Sequence, residues 1–509
     1  MSSIEISKPQ QHSLRDEKVL ITDQLPRFKK LGLGVLISIL LSACAVGPDY
    51  KKPTIESPEQ FKENNGWVKA APLAVPFQGD WWTVFGDAEL NKLEPLVLTA
   101  NQSLQASYYT YQQALGLTDQ ARAGEFPTIA ASVASTRSSS ASVTTVSGTG
   151  TTTTVSGQSV GLTASWVPDF WGKVRRQVES DEANAEYSRE TLINAQLSLQ
   201  ATLATDYFQI RQLDSQIVLA NETLGADEKS LTMTQNRYAS GVSTQADVAQ
   251  AQLQLANAKI QAKALGLQRA QLEHAIAVLI GVTPSSFSLS ALPGMPQPQA
   301  VPVGLPSQLL LRRPDLMAAE RQVAAANAQI GVAQSAYFPA LTLAASGGYR
   351  NPSFVNIFSA SNLFWSAGPS LALTLFDGGA RSAIKAQAQS AYKQVVAQYR
   401  QLSLQAIQQV EDQLVALTVL ADEAALQQQA VTAADVSLRL VTDQYKAGII
   451  PYLNVITAQT ASYSARNAAL LTAGQQLAAN VALIQALGGG TEVQPEKSAS
   501  TKSETSAVN

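Results

Sequence analysis

The sequence FPTIAASVA at residues 126–134 returns as FPALTLAAS at residues 338–346, 212 residues later. In the first copy the apolar side chains of Ile129, Ala131 and Val133 alternate with small residues, and this period of two predicts a β-strand. A strand of about ten residues, apolar on one face and small or polar on the other, is typical of a transmembrane barrel. A soluble hairpin is the alternative interpretation of any one such segment.

Similar alternation predicts four strands in total, at about 127–137, 158–167, 339–349 and 364–376. The Ser/Thr/Gly-rich residues 138–157 and the Asn/Ser/Phe-rich residues 351–361 are expected to be outward loops. Aromatic rings flank all four strands, as in the interfacial belts of membrane proteins: Phe126, Trp166 with Phe170 and Trp171, Tyr337 with Phe338, and Phe376. Because open sheet edges are not tolerated in lipid, four strands must oligomerise. Three copies would supply about twelve strands, an even number within the known range.

The duplication continues into two long helices. The segment YASGV at 238–242 returns as YKAGI at 445–449. A seven-residue apolar repeat precedes each segment, which predicts a supercoiled seam: Leu203, Ile210, Ile217, Leu224, Leu231 and Tyr238, then Val410, Leu417, Ala424, Val431, Leu438 and Tyr445. We predict unbroken helices over 172–238 and 379–446, each about 100 Å long. A plain coiled coil would explain the helices, but it would leave the strands unexplained.

Composition narrows the chemistry. The 509 residues carry a net charge of −3, which gives no basic excess for nucleic acid. One cysteine and two histidines leave little material for a metal site or a catalytic nucleophile and base. The motifs G-x-S-x-G and H-E-x-x-H and the phosphate-binding P-loop are missing. We therefore predict no nucleic-acid partner, no cofactor, no metal and no catalytic residue. An enzyme, the first alternative, has no motif in its favour.

The N-terminus predicts export and acylation. Arg27, Lys29 and Lys30 precede an apolar run too short to span a bilayer, followed by Leu-Ser-Ala-Cys ending at Cys44. This ending resembles a bacterial lipobox, in which the cysteine is acylated and anchors the protein in outer-membrane lipid. An ordinary secretory signal with a chance cysteine is the alternative.

The domain boundaries follow from these patterns. Residues 1–43 are the predicted leader and 44–80 an extended, acylated segment. The first repeat occupies 81–280, a proline-rich linker 281–306, and the second repeat 307–490. The polar residues 491–509 form a predicted disordered tail.

Four segments then resemble the outer membrane factors of tripartite efflux systems, in their lipoprotein branch: CAVGPDY at 44–50, WWTVF at 81–85, RRPD at 312–315 and ALGGG at 486–490. The resemblance implies a mainly α-helical homotrimer with a twelve-stranded β-barrel, a long coiled-coil α-barrel and an equatorial domain. It implies an outer-membrane channel that conducts drugs or other toxic small molecules. Its partners would be a periplasmic adaptor and an inner-membrane pump, of the resistance–nodulation–division class. The duct of a one-step protein exporter, which shares this fold, is the second alternative.

The resemblance also implies a gate at the helix–helix turns. Tyr445 and Asp247 match a pair that holds related channels closed, although a packing tyrosine and a helix-capping aspartate are the alternative roles. Adaptor docking would involve the turn residues Gly241, Val242, Gly448 and Ile449. Leu453, Asn454, Thr457 and Ile450 would line the constriction.

The gate residues of this chain carry fewer charges than those of the family. Many relatives carry acids at the positions of Asn454 or Thr457, and some carry an arginine at that of Ile450. We therefore expect apolar packing by Leu453 and Ile450 to replace ion pairs in the closed tip. The sequence does not identify the transported substrate.

Overall fold

The structure is a computed structural model, which describes residues 46–55, 58, 60–63, 80–143, 150–296 and 312–489. The predicted leader, Cys44, the predicted tail and residues 297–306 of the predicted proline-rich linker lie outside the described residues. The described chain divides into two compact units. Within the described ranges, the first comprises residues of 46–50, 118–180 and 326–390, and the second comprises residues of 51–117, 181–325 and 391–489.

The described elements are seven α-helices and four strands, with short 3-10 turns at Trp81–Phe85, Pro284–Ser286 and Ala360–Asn362. The helices are α1 (Leu90–Ala100), α2 (Gln102–Ala123), α3 (Lys173–Ala239), α4 (Gln245–Leu279), α5 (Pro314–Ser335), α6 (Ala380–Lys446) and α7 (Tyr452–Ala486). The strands are β1 (Thr128–Val143), β2 (Gly150–Trp166), β3 (Ala340–Asn351) and β4 (Leu363–Ala372). Helices α3 and α6 each contain 67 residues, and their ends lie within about one residue of the positions that the heptads predict.

The four strands of the first unit form one antiparallel sheet in the order β1-β2-β3-β4. The register gathers apolar side chains on one face, where Ile129 is 73% exposed and Leu162 58%. Trp365, which lies on the same face, is 78% exposed. The opposite face carries mainly Gly, Ala, Ser and Thr. A sheet that leaves large apolar side chains uncovered on one side is suited to contact lipid there.

The hairpin of β1 and β2 is longer than the pattern predicts. Pairing continues to Val143 opposite Gly150, so most of the expected loop at 138–157 is strand. The reason is that Ser and Thr face each other across the two strands, and Thr favours strand conformation. Strand β4 instead ends at Ala372, earlier than the predicted 376, because β3 begins at the paired Ala340 and offers no partner beyond it.

The second unit has a large apolar core around a buried ion pair. Tyr207 and Phe208 of α3 pack in one cluster with Trp81 and Leu477. The largely buried carboxylate of Asp87 accepts hydrogen bonds from the Arg211 guanidinium and the Tyr207 hydroxyl, each at 2.7 Å. These bonds satisfy charges that would otherwise be costly to bury. The pair therefore fixes the segment before α1 against α3.

Equivalent contacts close the two repeats. The side-chain amide of Asn101, before α2, donates to the carbonyl of Leu279 at the end of α4, at 2.8 Å. The guanidinium of Arg313, before α5, donates to the carbonyl of Ala486 at the end of α7, at 3.2 Å. Each donor satisfies a carbonyl that a helix end leaves without an intrahelical partner. Arg313 also forms a two-pronged ion pair with Asp315, at 3.0 and 2.7 Å.

Glycines allow both closures. Gly281 has φ +73°, and a β-carbon there would lie 2.2 Å from the carbonyl oxygen of Ala100. Gly488 has φ +90°, and a β-carbon there would lie 2.8 Å from the carbonyl oxygen of Arg312. Any side chain at either position would meet backbone as well as an unfavourable left-handed conformation. The duplication is therefore visible in individual backbone contacts.

Candidate functional site

The two helix–helix turns have the same geometry. Gly241 (φ +74°) lies two residues after the end of α3, and Gly448 (φ +77°) lies two residues after the end of α6. After each glycine a backbone N–H bonds back to the helix: Val242 to Arg237 at 2.9 Å and Ile449 to Gln444 at 3.0 Å. This is the Schellman arrangement, which needs a left-handed residue and so favours glycine. Val242 and Ile449 are left 65% and 72% exposed, so both turns present an apolar branched side chain.

Asp247 caps its own helix. Its carboxylate accepts from the backbone N–H of Thr244 at 2.9 Å and from the Ser243 hydroxyl at 2.8 Å, and its own N–H donates to the Thr244 hydroxyl. This capping box satisfies the free donors at the start of α4. The hydrogen bond from the Thr244 backbone is the main reason that the pKa of Asp247 lies below its usual value.

Tyr445 lies inside the protomer. Its hydroxyl is 3.5 Å from that of Thr234, and its ring centroid is 5.4 Å from that of Tyr452. The Arg237 guanidinium lies 4.8 Å from the same centroid, a cation–π distance. Within the part of one protomer that the structure describes, no hydrogen bond joins Tyr445 to Asp247. The predicted pair remains a prediction, because a bond between neighbouring copies lies beyond a single chain.

The remaining predicted gate residues differ in their exposure to solvent. Ile450 is partly buried and packs with the cluster that contains Tyr445 and Tyr452. Leu453 is 53% exposed, and Asn454 and Thr457 are exposed on the same face of α7. The exposed stripe at the start of α7 is therefore neutral.

Sequence reasoning missed a buried acid near these turns. Asp227 of α3 is fully buried, and neither carboxylate oxygen has a hydrogen-bond partner among the described residues. Burial raises its pKa to about 6. Burial likewise raises the pKa of the nearby Tyr452 to about 12. A signal was present, since Asp227 and Thr234 occupy positions three after the heptad residues Leu224 and Leu231, where a seam residue is expected.

The segment after the predicted acylation site lies at the start of the sheet. The N–H of Val46 donates to the carbonyl of Trp171 at 3.1 Å, and Asp49 pairs with the buried guanidinium of Arg176 at 2.7 Å. The Trp171 ring stacks on Phe338 with centroids 4.9 Å apart. Val46, two residues after Cys44, is therefore held at Trp171, which follows β2 and stacks on Phe338, the residue shortly before β3.

Among the described residues, no three His, Cys, Asp or Glu side chains lie close enough to hold a metal ion. Within the same ranges, no helix is both long enough and apolar enough to cross a membrane.

The chain is similar to known proteins over most of its length. The family model described as outer membrane efflux protein matches residues 94–282 and 305–489, one segment in each repeat. The cation efflux system protein CusC of Escherichia coli (strain K12) is 27% identical over 463 residues, covering 89% of this chain and 98% of the relative. The solvent efflux pump outer membrane protein SrpC of Pseudomonas putida is 28% identical over 475 residues, covering 92% and 99%.

Solved structures of outer-membrane channels are similar to this chain in fold. The outer-membrane channel OprN superposes with a TM-score of 0.80 at 26% identity, covering 89% of this chain and all of that one. The open state of the MtrE outer membrane channel of Neisseria gonorrhoeae gives 0.76 at 28% identity, covering 88% and 98%. The predicted family and fold class, a helical duct with a β-barrel built on a duplication, are confirmed. The chain therefore belongs to the outer membrane efflux protein family.

Proposed function

We propose that three copies of this efflux channel close a twelve-stranded barrel in the outer membrane and conduct small toxic molecules to the exterior. One observation carries the proposal: the sheet has large exposed apolar side chains on one face and two open edges, β1 and β4. Such a sheet is stable in lipid only when its edges are paired by other copies. The duct performs no reaction, because solutes pass through a water-filled lumen.

Channels of this family work as trimers with a periplasmic adaptor and an inner-membrane pump. For this chain the pump is proposed to be of the resistance–nodulation–division class. Adaptor hairpins would dock at the turns around Gly241 and Gly448, where Val242 and Ile449 are exposed. The relatives are named for different cargoes, a cation efflux system and a solvent efflux pump, so the cargo would be selected by the pump rather than by the duct.

The gate is proposed to lie at the start of α7. Ile450 would close the tip by packing on Tyr445, and Leu453 would meet its copies around the axis. Support comes from the burial of Tyr445 and the neutral exposed stripe of Leu453, Asn454 and Thr457. Tyr445 and Asp247 are proposed to hold the tip closed by hydrogen bonding between neighbouring copies. Within one protomer the Asp247 carboxylate also caps α4, through three hydrogen bonds that it accepts from Ser243 and Thr244.

Acylated Cys44 is proposed to anchor the mature N-terminus in outer-membrane lipid. The support is the hydrogen bond from Val46 to Trp171, whose ring stacks on Phe338, since aromatic rings favour the membrane interface. Two or three acyl chains would supply enough buried CH₂ groups, at about 0.8 kcal/mol each, for stable anchoring.

Gene deletion tests the proposal. The deletion strain should accumulate a fluorescent dye and become more susceptible to drugs, solvents or metals, and the wild-type gene should restore export. A Cys44→Ala variant should lose radiolabelled palmitate, while an Asn454→Ala control should keep it. Unchanged accumulation, in a strain without redundant ducts, together with loss of a secreted protein would favour the protein-export alternative.

A further inference from the structure

The barrel strands have an unusual charge content. Residues 127–168 and 340–376 contain no Asp, Glu, Lys or His, and their charged residues are Arg137 and Arg350. Three copies would therefore place six positive charges and no negative charge in the barrel and its outer connections. The direction in which each arginine faces decides whether a solute meets it.

The sheet register assigns the two arginines to opposite faces. Arg137 lies on β1 in the alternation of Ile129 and Val133, on the apolar face, and pairs with Ser156 beyond the last contact of β2 with β3. Arg350 pairs with Ser159 and lies on the other face. The apolar face must contact lipid, so the face of Arg350 lines the lumen. Arg350 is at the end of β3 farthest from the helices, and hence at the external mouth.

An aromatic ring supports Arg350. Its guanidinium carbon lies 4.9 Å from the ring centroid of Phe364. Phe364 pairs with Gly348, and Gly348 pairs with Gly161, so the three residues share one rung of the sheet. A β-carbon at Gly161 would lie 3.6 Å from the Phe364 ring, and one at Gly348 would lie 2.2 Å from the carbonyl oxygen of Val160. Because the two glycines have no side chains, the Phe364 ring can pack directly against the backbone of the sheet at this position.

Among the described residues, Arg350 forms no ion pair. Residues 127–168 and 340–376 contain no Asp or Glu that could neutralise it. The guanidinium is held by a ring face, which restricts its position and leaves its positive charge available. Elsewhere the same face presents Gly, Ala, Ser and Thr, which add no charge.

We propose that Arg350, seated on Phe364, forms a ring of three positive charges that makes the external mouth selective for anionic over cationic solutes. This rests on the proposed trimeric barrel. Rings of arginine or lysine are a known means of anion selection in pores. The favoured solutes are small organic acids and inorganic anions. With three charges each about 10 Å from an ion in screened water, the anion-to-cation ratio should change about two- to fivefold.

Ion selectivity of the purified trimer in a planar bilayer tests the proposal. Reversal potentials in a KCl gradient give the chloride-to-potassium permeability ratio. Arg350→Gln should lower this ratio about two- to fivefold, and Arg350→Glu should lower it further. Arg350→Lys keeps the charge and should stay closer to wild type. Arg137→Gln, the matched control on the outward face, should leave the ratio unchanged.

The outcomes separate the two proposals. An unchanged ratio in conducting Arg350→Gln trimers, or an equal change in Arg137→Gln trimers, would overturn the selectivity proposal and leave the efflux function intact. A wild-type trimer that exports dye in cells but prefers potassium as strongly as Arg350→Gln would also overturn it. A wild-type trimer that forms no conducting channel would contradict both proposals.

Discussion

Replacement of Asp227 by Asn should stabilise the protein above pH 6 and have little effect near pH 4. The folded state raises the pKa of Asp227 from 3.8 to about 6, because burial disfavours the ionised carboxylate. Stability that depends on the protonated form is fully present below pH 3.8 and is lost as the pH rises to about 6. At 1.36 kcal/mol per pKa unit, the wild type should lose about 3 kcal/mol per protomer across this window. Asparagine does not ionise and should lose nothing.

Thermal unfolding of the detergent-solubilised trimer at pH 4 and pH 7.5 measures this effect. The informative quantity is the change with pH, because a buried amide without a partner also has a cost that does not depend on pH. The melting temperature of the wild type should fall relative to Asp227→Asn between the two pH values. Asp422→Asn, at an exposed position on α6, is the control and should follow the wild type. A difference between Asp227→Asn and wild type that is equal at both pH values would refute the reasoning.

Further predictions concern the helix ends and the tip. Arg313→Ala should lower the free energy of unfolding by about 3–5 kcal/mol, because the partly buried Asp315 loses its ion-pair partner and the carbonyl of Ala486 loses its donor. Chemical unfolding measures this change. A loss below about 1 kcal/mol would contradict the prediction. Gly448→Val should lower the free energy of unfolding by about 1–2 kcal/mol, because a valine is strained at the positive φ of +77° found there. The same variant should reduce dye export. Gly225→Ala, inside α3 with open space around it, should instead stabilise by about 0.5–1 kcal/mol. Millimolar divalent cations should block the wild-type channel weakly and an Asn454→Asp channel more strongly; strong wild-type block would contradict a neutral tip.

Much of the fold is readable from local patterns. Heptads over α3 and α6 predict helix ends closely, because a continuous seam and a terminal glycine leave few alternatives. Alternation with flanking aromatic rings predicts the four strands, because a period of two places successive side chains on opposite faces of a strand and does not fit a helix. The extent of the β1–β2 hairpin is not readable in this way. Its Ser and Thr residues suit a loop by composition, and cross-strand pairing decides in favour of the strand.

The site was less accessible to prediction than the fold. The neutral residues at the start of α7 could be inferred by position, whereas the role of Asp227 depends on its environment. A helix places every seventh residue on one seam, but only the packed structure shows whether an acid there is solvated. Arg350 illustrates the same limit: the sequence contains the charge, and the register of β2 with β3 assigns it to the inner face.

The paired closures at Asn101 and Arg313 have a consequence for ancestry. In each half of the chain, a side chain near the start donates a hydrogen bond to a carbonyl at the end of the same half: Asn101 to Leu279, and Arg313 to Ala486. Neither of these two hydrogen bonds uses the other half, although β2 pairs with β3 and Tyr207 packs with Leu477 across the two halves. A ring of three chains is then a ring of six similar units, the assembly that six copies of a half-length chain would form. The later divergence of the two halves, with Asn at one closure and Arg at the other, would have become possible once both were encoded in one chain.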